Sequence, residues 1–127
     1  SRVSRGLGDV YKRQYLIFLF SIIGHIFPIW LYFKGGKGVA CFFGANLFLT
    51  PIPTILAMIL WFFTVKITKL SSLGALLSIF LLTIYQLIFI YGNLEKGIVF
   101  IIFLLIFFKH SSNIKRLIKG EENKINL

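Results

Sequence analysis

The chain has 127 residues, of which 57% are hydrophobic and 17% aromatic, and its mean hydropathy is +0.88. A soluble domain of this size has too much surface to be so apolar, so the composition excludes it and points to an integral membrane protein. The net charge is +10, from 14 Lys and Arg against 4 Asp and Glu. These charges sit in short clusters between apolar runs rather than along an arm or an aromatic-laced face, which argues against nucleic acid as a partner.

Residues 1–14 (SRVSRGLGDVYKRQ) are polar, basic and aperiodic, and the apolar sequence starts abruptly at Tyr15. No small-residue cleavage site follows, so this is not a signal peptide. It reads as a non-native leader, a translation or cloning scar joined to a truncated frame, with the membrane domain occupying 15–127.

Five apolar runs follow: Tyr15–Phe33, Val39–Thr50, Ile52–Val65, Leu70–Tyr91 and Ile98–Phe108. The first and fourth are long enough for a hydrocarbon core of about 30 Å at about 1.5 Å per residue. The others must borrow flanking residues, tilt or pack inside the bundle. Open sheet edges are not tolerated in lipid, so the expected fold is an all-α polytopic bundle of about five helices. Pro51 and Pro53 separate the second run from the third, because each removes a donor and restrains its predecessor. One kinked helix over 39–65 is the alternative.

With a turn at the prolines, the loops alternate in charge. Lys34 and Lys37, then Lys66 and Lys69, then the tail with Lys109, Lys115, Arg116, Lys119 and Lys124 fall on one side. The opposite loops, Thr50–Pro53 and Gly92–Gly97, carry no net charge. The positive-inside bias places the basic loops in the cytoplasm, together with nearly all the polar chemistry.

Three segments on that face carry candidate sites. In Gly24–Ala40 (GHIFPIWLYFKGGKGVA) a membrane run ends in Lys34-Gly35-Gly36-Lys37-Gly38, where glycines expose backbone N–H groups beside two fixed positive charges. An anionic group, a phosphate above all, is what that combination suits. It is not a Walker A loop, since Leu31 stands where the first glycine belongs and Val39 follows Gly38. His25 lies just before it, an intramembrane ionisable group with either a packing or a binding role. Cys41 reads as a small apolar packer, and a single cysteine excludes an internal disulfide. The second segment is Ser71–Ala75 (SSLGA), an N-cap pattern that also turns a hydroxyl and free N–H groups toward the basic face. The third is the tail, where His110, Asn113 and Arg116 share a helical stripe; anchoring to anionic head groups is its simpler role. No metal site and no cofactor are expected.

These three blocks, GHIFPIWLYFKGGKGVA, SSLGA and HSSNIKRLIKGEE, in this order and spacing, resemble the PlsY family of acyl-phosphate:glycerol-3-phosphate acyltransferases from Tyr15 to the end. The resemblance implies an enzyme of the bacterial plasma membrane whose active face is cytoplasmic. It would move an acyl chain from acyl phosphate to the sn-1 hydroxyl of glycerol 3-phosphate, giving lysophosphatidate and phosphate. It implies that Gly35, Gly36, Lys37 and Gly38, with Lys34, His25 and Arg116, bind phosphate, and that Ser72, His110 and Asn113 complete the pocket as catalytic groups. Either His110 or the donor's own phosphate would take the hydroxyl proton. Arg116 and Glu122 both sit at motif positions, and Glu122 has no assigned role. The family's Ser/Gly/Asn-rich amino-terminal block is missing, about five of its seven helices are present, and Cys41 replaces a usual Thr. A chain so truncated is expected to be inactive.

Two rivals stand beside this. A His-x4-Asp acyltransferase is excluded, since Trp30 follows His25 and Lys115 follows His110 at that spacing. A small transporter would need polar residues lining several helices, and an anchoring subunit is the remaining alternative. The fourth run offers only Ser78, Thr83, Tyr85 and Gln86 in its interior.

Overall fold

The computed structural model describes residues 2–26 and 38–125. All the regular structure among them is helical: α1 Arg2–Ile26, α2 Val39–Leu49, α3 Pro51–Thr68, α4 Ser71–Phe89, α5 Asn93–Lys109 and α6 Ser111–Lys119. Each of the five apolar runs therefore corresponds to one helix, α1 to α5, and α6 is an added helix carrying the basic tail. α1 continues unbroken through residues 14 and 15, so the change in composition there brings no change in backbone.

By length and composition α3 and α4 are able to cross a membrane, as is the α5–α6 pair if its 60° bend is counted within one span. α3 outgrows the third apolar run by taking in Pro51 at its start and Lys66 to Thr68 at its end. Proline is tolerated at the first helical turn, where its missing N–H would have no intrahelical acceptor. Thr50, at φ −140° and ψ 77°, interrupts the helical path before it. Residues 39–65 are thus two helices, not one kinked helix.

The five apolar helices pack as a ring of pairs: α1 on α2, α2 on α3, α3 on α4, α4 on α5, and α5 back on α1. Its centre is filled by Ile22, Ile26, Phe42, Ile79, Ile102 and Ile106, all essentially inaccessible. Cys41 packs against this core as a small apolar residue. The closest seam is α3 against α4, where Gly74 removes the obstacle. A Cβ at that position would lie 2.8 Å from Val65 Cγ2 and 3.0 Å from the Trp61 carbonyl oxygen.

The ring also encloses a polar knot. Gln86 Nε2 donates to Asn46 Oδ1 at 2.6 Å and to Thr50 Oγ1 at 3.2 Å. Thr54 Oγ1 donates to the Asn46 carbonyl at 3.0 Å, and Asn46 Nδ2 to the Phe42 carbonyl at 3.0 Å. Buried polar groups in an apolar bundle are costly unless bonded, so these contacts set the register of α2, α3 and α4. Gln86 is thereby committed to holding helices together, which weakens the case for a polar transport path along α4.

Chain direction sorts the loops as the charges suggested. Gly38, Ser71 and His110 line one cavity, whereas Thr50, Tyr91 and Gly92 line another together with Lys12. Two glycine substitutions should separate packing from propensity. Gly74→Ala forces α3 and α4 apart and should cost about 1–3 kcal/mol. Gly97→Ala, in open space within α5, should be neutral or stabilising by up to about 1 kcal/mol. Unfolding in mixed micelles measures both, and equal effects would refute the close-seam account.

Candidate active site

Three helices begin at one cavity. α2 starts after Gly38, α4 after Leu70 and α6 after His110. The first ladder bonds are Phe42 N to Gly38 O, Gly74 N to Leu70 O and Ile114 N to His110 O. The N–H groups of the residues between each such pair therefore lie outside their own helix's ladder. Three positive dipole ends face a common space of about 500 Å³, lined by Gly38, Val39 and Ala40, by Ser71 and Ser72, and by His110, Asn113 and Glu122. That is an anion-adapted cavity.

Gly38 is fitted to its place twice over. Its φ of 86° lies in the left-handed region that favours glycine, and a Cβ there would stand 3.3 Å from Ile26 Cδ1 and 3.6 Å from Ile106 Cγ1. The turn into α2 is therefore pressed between α1 and α5.

Leu70, with extended backbone at φ −109° and ψ 100°, is the N-cap of α4. This corrects the reading of the serines as a cap: Ser71 and Ser72 are the first two helical residues. The reason is the residue before Leu70. Lys69 adopts φ 64° and closes α3, which leaves Leu70 alone to enter the next helix. Ser72 instead donates from Oγ to Glu122 Oε2 at 2.9 Å.

Glu122 is the hub of the site. Its Oε2 also accepts from Asn113 Nδ2 at 2.9 Å, and its Oε1 from Arg116 Nε at 3.1 Å and from the Asn123 backbone at 3.2 Å. Burial works against its charge, but the donors from Asn113, Ser72, Arg116 and Asn123 prevail and hold the carboxyl at about 2, against an ordinary 4.5. The tail beyond is tied down by Ile125 N, which donates to the Lys69 carbonyl at 2.8 Å.

His110 is buried, with Nδ1 2.8 Å from the Ile106 carbonyl oxygen. A carbonyl only accepts, so Nδ1 carries the hydrogen and in the neutral ring the lone pair lies on Nε2.

The structure thus brings Gly38, Ser72, His110 and Asn113 together. Arg116 stands behind Glu122, partly exposed, rather than on the cavity wall. Lys34, Gly35, Gly36 and Lys37 lie outside the described residues, as does the side chain of His25, whose backbone belongs to α1. Sequence reasoning missed the centrality of Glu122 and the presence of Trp61 on the wall. Trp61 is brought there by the α3–α4 hairpin, and no local pattern signals it.

The fold and the site together define a helical membrane bundle whose helix N-termini converge on one cavity. The comparisons with known proteins are specific. A family model described as glycerol-3-phosphate acyltransferase matches residues 4–120. The glycerol-3-phosphate acyltransferase of Ruthia magnifica subsp. Calyptogena magnifica is 43% identical over 110 residues, covering 87% of this chain and 56% of its own. That of Finegoldia magna is 44% identical over 108 residues, covering 84% of this chain and 54% of its own. Among solved structures, PlsY, an integral membrane glycerol 3-phosphate acyltransferase crystallised in its glycerol 3-phosphate form, superposes with a TM-score of 0.77 at 26% identity. It covers 84% of this chain and 53% of its own. Its lysophosphatidic acid form matches equally well. The chain belongs to the glycerol-3-phosphate acyltransferase family, and it spans about half the length of the curated relatives it matches.

The carboxylate hub carries its own test. A depressed carboxyl stabilises the docked tail fully above its unfolded value near 4.5, and this contribution fades as pH falls toward about 2. Hydrogen exchange at the Ile125 amide should show a protection factor that is constant from neutral pH to about 4.5 and then declines. Glu122→Gln should lower that factor about ten- to a hundred-fold at neutral pH, because charged hydrogen bonds contribute about 1.5–3 kcal/mol, less where Arg116 is exposed. Unchanged protection in the variant would contradict the hub.

Proposed function

We propose that the protein transfers an acyl group from acyl phosphate to the sn-1 hydroxyl of glycerol 3-phosphate, yielding lysophosphatidate and inorganic phosphate. The reaction takes place at the cytoplasmic face of a bacterial plasma membrane, as the basic loops argue. The observation that carries this reading is the convergence of the α2, α4 and α6 N-termini on the cavity holding Gly38, Ser72, His110 and Asn113. Both substrates bear phosphates, and relatives that are about 43% identical bear the name of this activity.

The chemistry needs little covalent participation from the protein. The hydroxyl oxygen bonds to the acyl carbon, the acyl C–O bond to phosphate breaks, and the hydroxyl proton ends on inorganic phosphate, directly or by way of His110 Nε2. Negative charge grows on the carbonyl oxygen and on the departing phosphate. Preorganised N–H groups at helix ends stabilise both without having to reorient. Lys34, Gly35, Gly36 and Lys37, with Gly38, hold a phosphate. Ser72 and Asn113 are oriented by Glu122, itself clamped by Arg116, so that their placement does not depend on substrate.

In membranes carrying a full-length protein restored around this chain, labelled glycerol 3-phosphate should enter lysophosphatidate only when acyl phosphate is supplied, whereas this chain alone should give no turnover. His110→Ala should lower that rate about 10²–10⁴-fold. Uptake of glycerol 3-phosphate into proteoliposomes without acyl transfer would overturn the proposal in favour of a transporter.

A further inference from the structure

A cavity of about 430 Å³ lies at the end of the bundle remote from His110, and it is built with the opposite polarity. Two helices finish there, α2 at Leu49 and α4 at Phe89, and both residues line it. The last ladder bonds are Thr50 N to Asn46 O and Ile90 N to Gln86 O. The carbonyls of residues 47–49 and 87–89 therefore lie beyond their own helix's ladder, at the negative ends of two helix dipoles. Thr50, also on the wall, has a lone pair to offer and no hydrogen. Thr54 gives its hydroxyl hydrogen to a backbone carbonyl, so Thr50 is the donor between the two hydroxyls, and Thr50 Oγ1 accepts from Gln86 Nε2.

Glu95 belongs to the same wall. It is 4% exposed, and among the described residues its Oε2 has no hydrogen-bond partner. The carboxyl group folds back over Gly92, where φ is 95° and a Cβ would collide with Oε2. The start of α5 favours a negative charge here but supplies no bond to that oxygen. A buried carboxyl oxygen without a donor is costly, and the cavity is the side from which a donor can come.

We infer that this cavity binds the primary ammonium of a zwitterionic phospholipid head group, with Glu95 as its counter-ion. The three N–H donors of an ammonium match the carboxylate, Thr50 Oγ1 and the helix-end carbonyls. A metal ion is a poorer match: hard cations need several oxygen ligands, and the described residues hold no group of three His, Cys, Asp or Glu side chains placed to bind one. The rings of Tyr15, Phe89 and Tyr91 on the wall suit an alkylammonium. Two observations favour a lipid over a free amine. Tyr91 is 95% exposed beside Phe89, as in the aromatic belt at a membrane surface. Lys12, which shares the wall with Glu95, supplies the positive charge that a head-group phosphate needs. Ethanolamine heads meet these terms. Choline heads do not, because a quaternary ammonium has no hydrogen to donate.

Native mass spectrometry of the protein released from mixed micelles counts retained lipid. With acyl chains held identical, phosphatidylethanolamine should be retained about ten-fold more than phosphatidylcholine, with the N-methyl and N,N-dimethyl head groups in between. Glu95→Gln should reduce phosphatidylethanolamine to the phosphatidylcholine level. Lys12→Ala, at an exposed side chain, should weaken both about two- to five-fold. Glycerophosphoethanolamine should displace the lipid at lower concentration than ethanolamine does. The N-methyl series needs no variant, so it decides even where Glu95→Gln fails to fold. Equal retention of all four head groups overturns the inference, as does an unchanged preference in folded Glu95→Gln. Displacement by ethanolamine at the same concentration as by glycerophosphoethanolamine marks a free-amine site and overturns the lipid assignment.

Discussion

The site depends on one carboxylate. Glu122 accepts hydrogen bonds from α4 through Ser72 and from α6 through Asn113 and Arg116. Ser72 is fifty positions away in the chain and Asn113 nine. A negative charge at the starts of two helices is favourable in itself, and here it also sets the angle at which α6 leaves α5. Beside it, the Ile125 to Lys69 contact holds the tail across the α3–α4 turn.

The two ends of the bundle are built on different principles. At the basic end, helix starts are left open toward a cavity, and the donors there are largely backbone groups that do not have to be positioned by rotamer choice. Toward the other end, Gln86, Asn46, Thr50 and Thr54 are linked by hydrogen bonds inside the ring. Adaptability at one end is tolerable because the other is fixed. Gly74 and Gly38 serve the same division, the first by letting α3 and α4 touch and the second by letting the turn into α2 pass between α1 and α5.

Much of this was legible in the sequence because it depends on residue type and order. Apolar run length, the two prolines and the alternation of loop charge led to five helices, the break at Thr50, and the gathering of Gly38, Ser72, His110 and Asn113 on one end. What was not legible depends on pairs far apart in the chain. Gln86 reads as an isolated polar residue until Asn46, forty positions away, meets it. Glu122 reads as a motif position without a defined role until Ser72 is beside it. The serines were misread as a cap because the left-handed turn at Lys69, a residue that seldom adopts it, is not signalled by glycine or asparagine. Trp61 sits in an unbroken apolar stretch, and only the hairpin brings it to the cavity.

The shortness of α2 has a consequence for how the protein reaches its membrane. Eleven residues rise about 16 Å, roughly half the hydrocarbon thickness, and Asn46 adds an amide that lipid cannot solvate. Such a segment has no stable place in the bilayer by itself. It must enter together with α3 as a hairpin and be retained by Gln86 once α4 arrives. Until α4 docks, α2 has its packing on α1 and α3 and the Thr54 bond to the Asn46 carbonyl to hold it. A mutation at Gln86 would act by slowing or misdirecting insertion, at a point in the protein's life before the cavity exists.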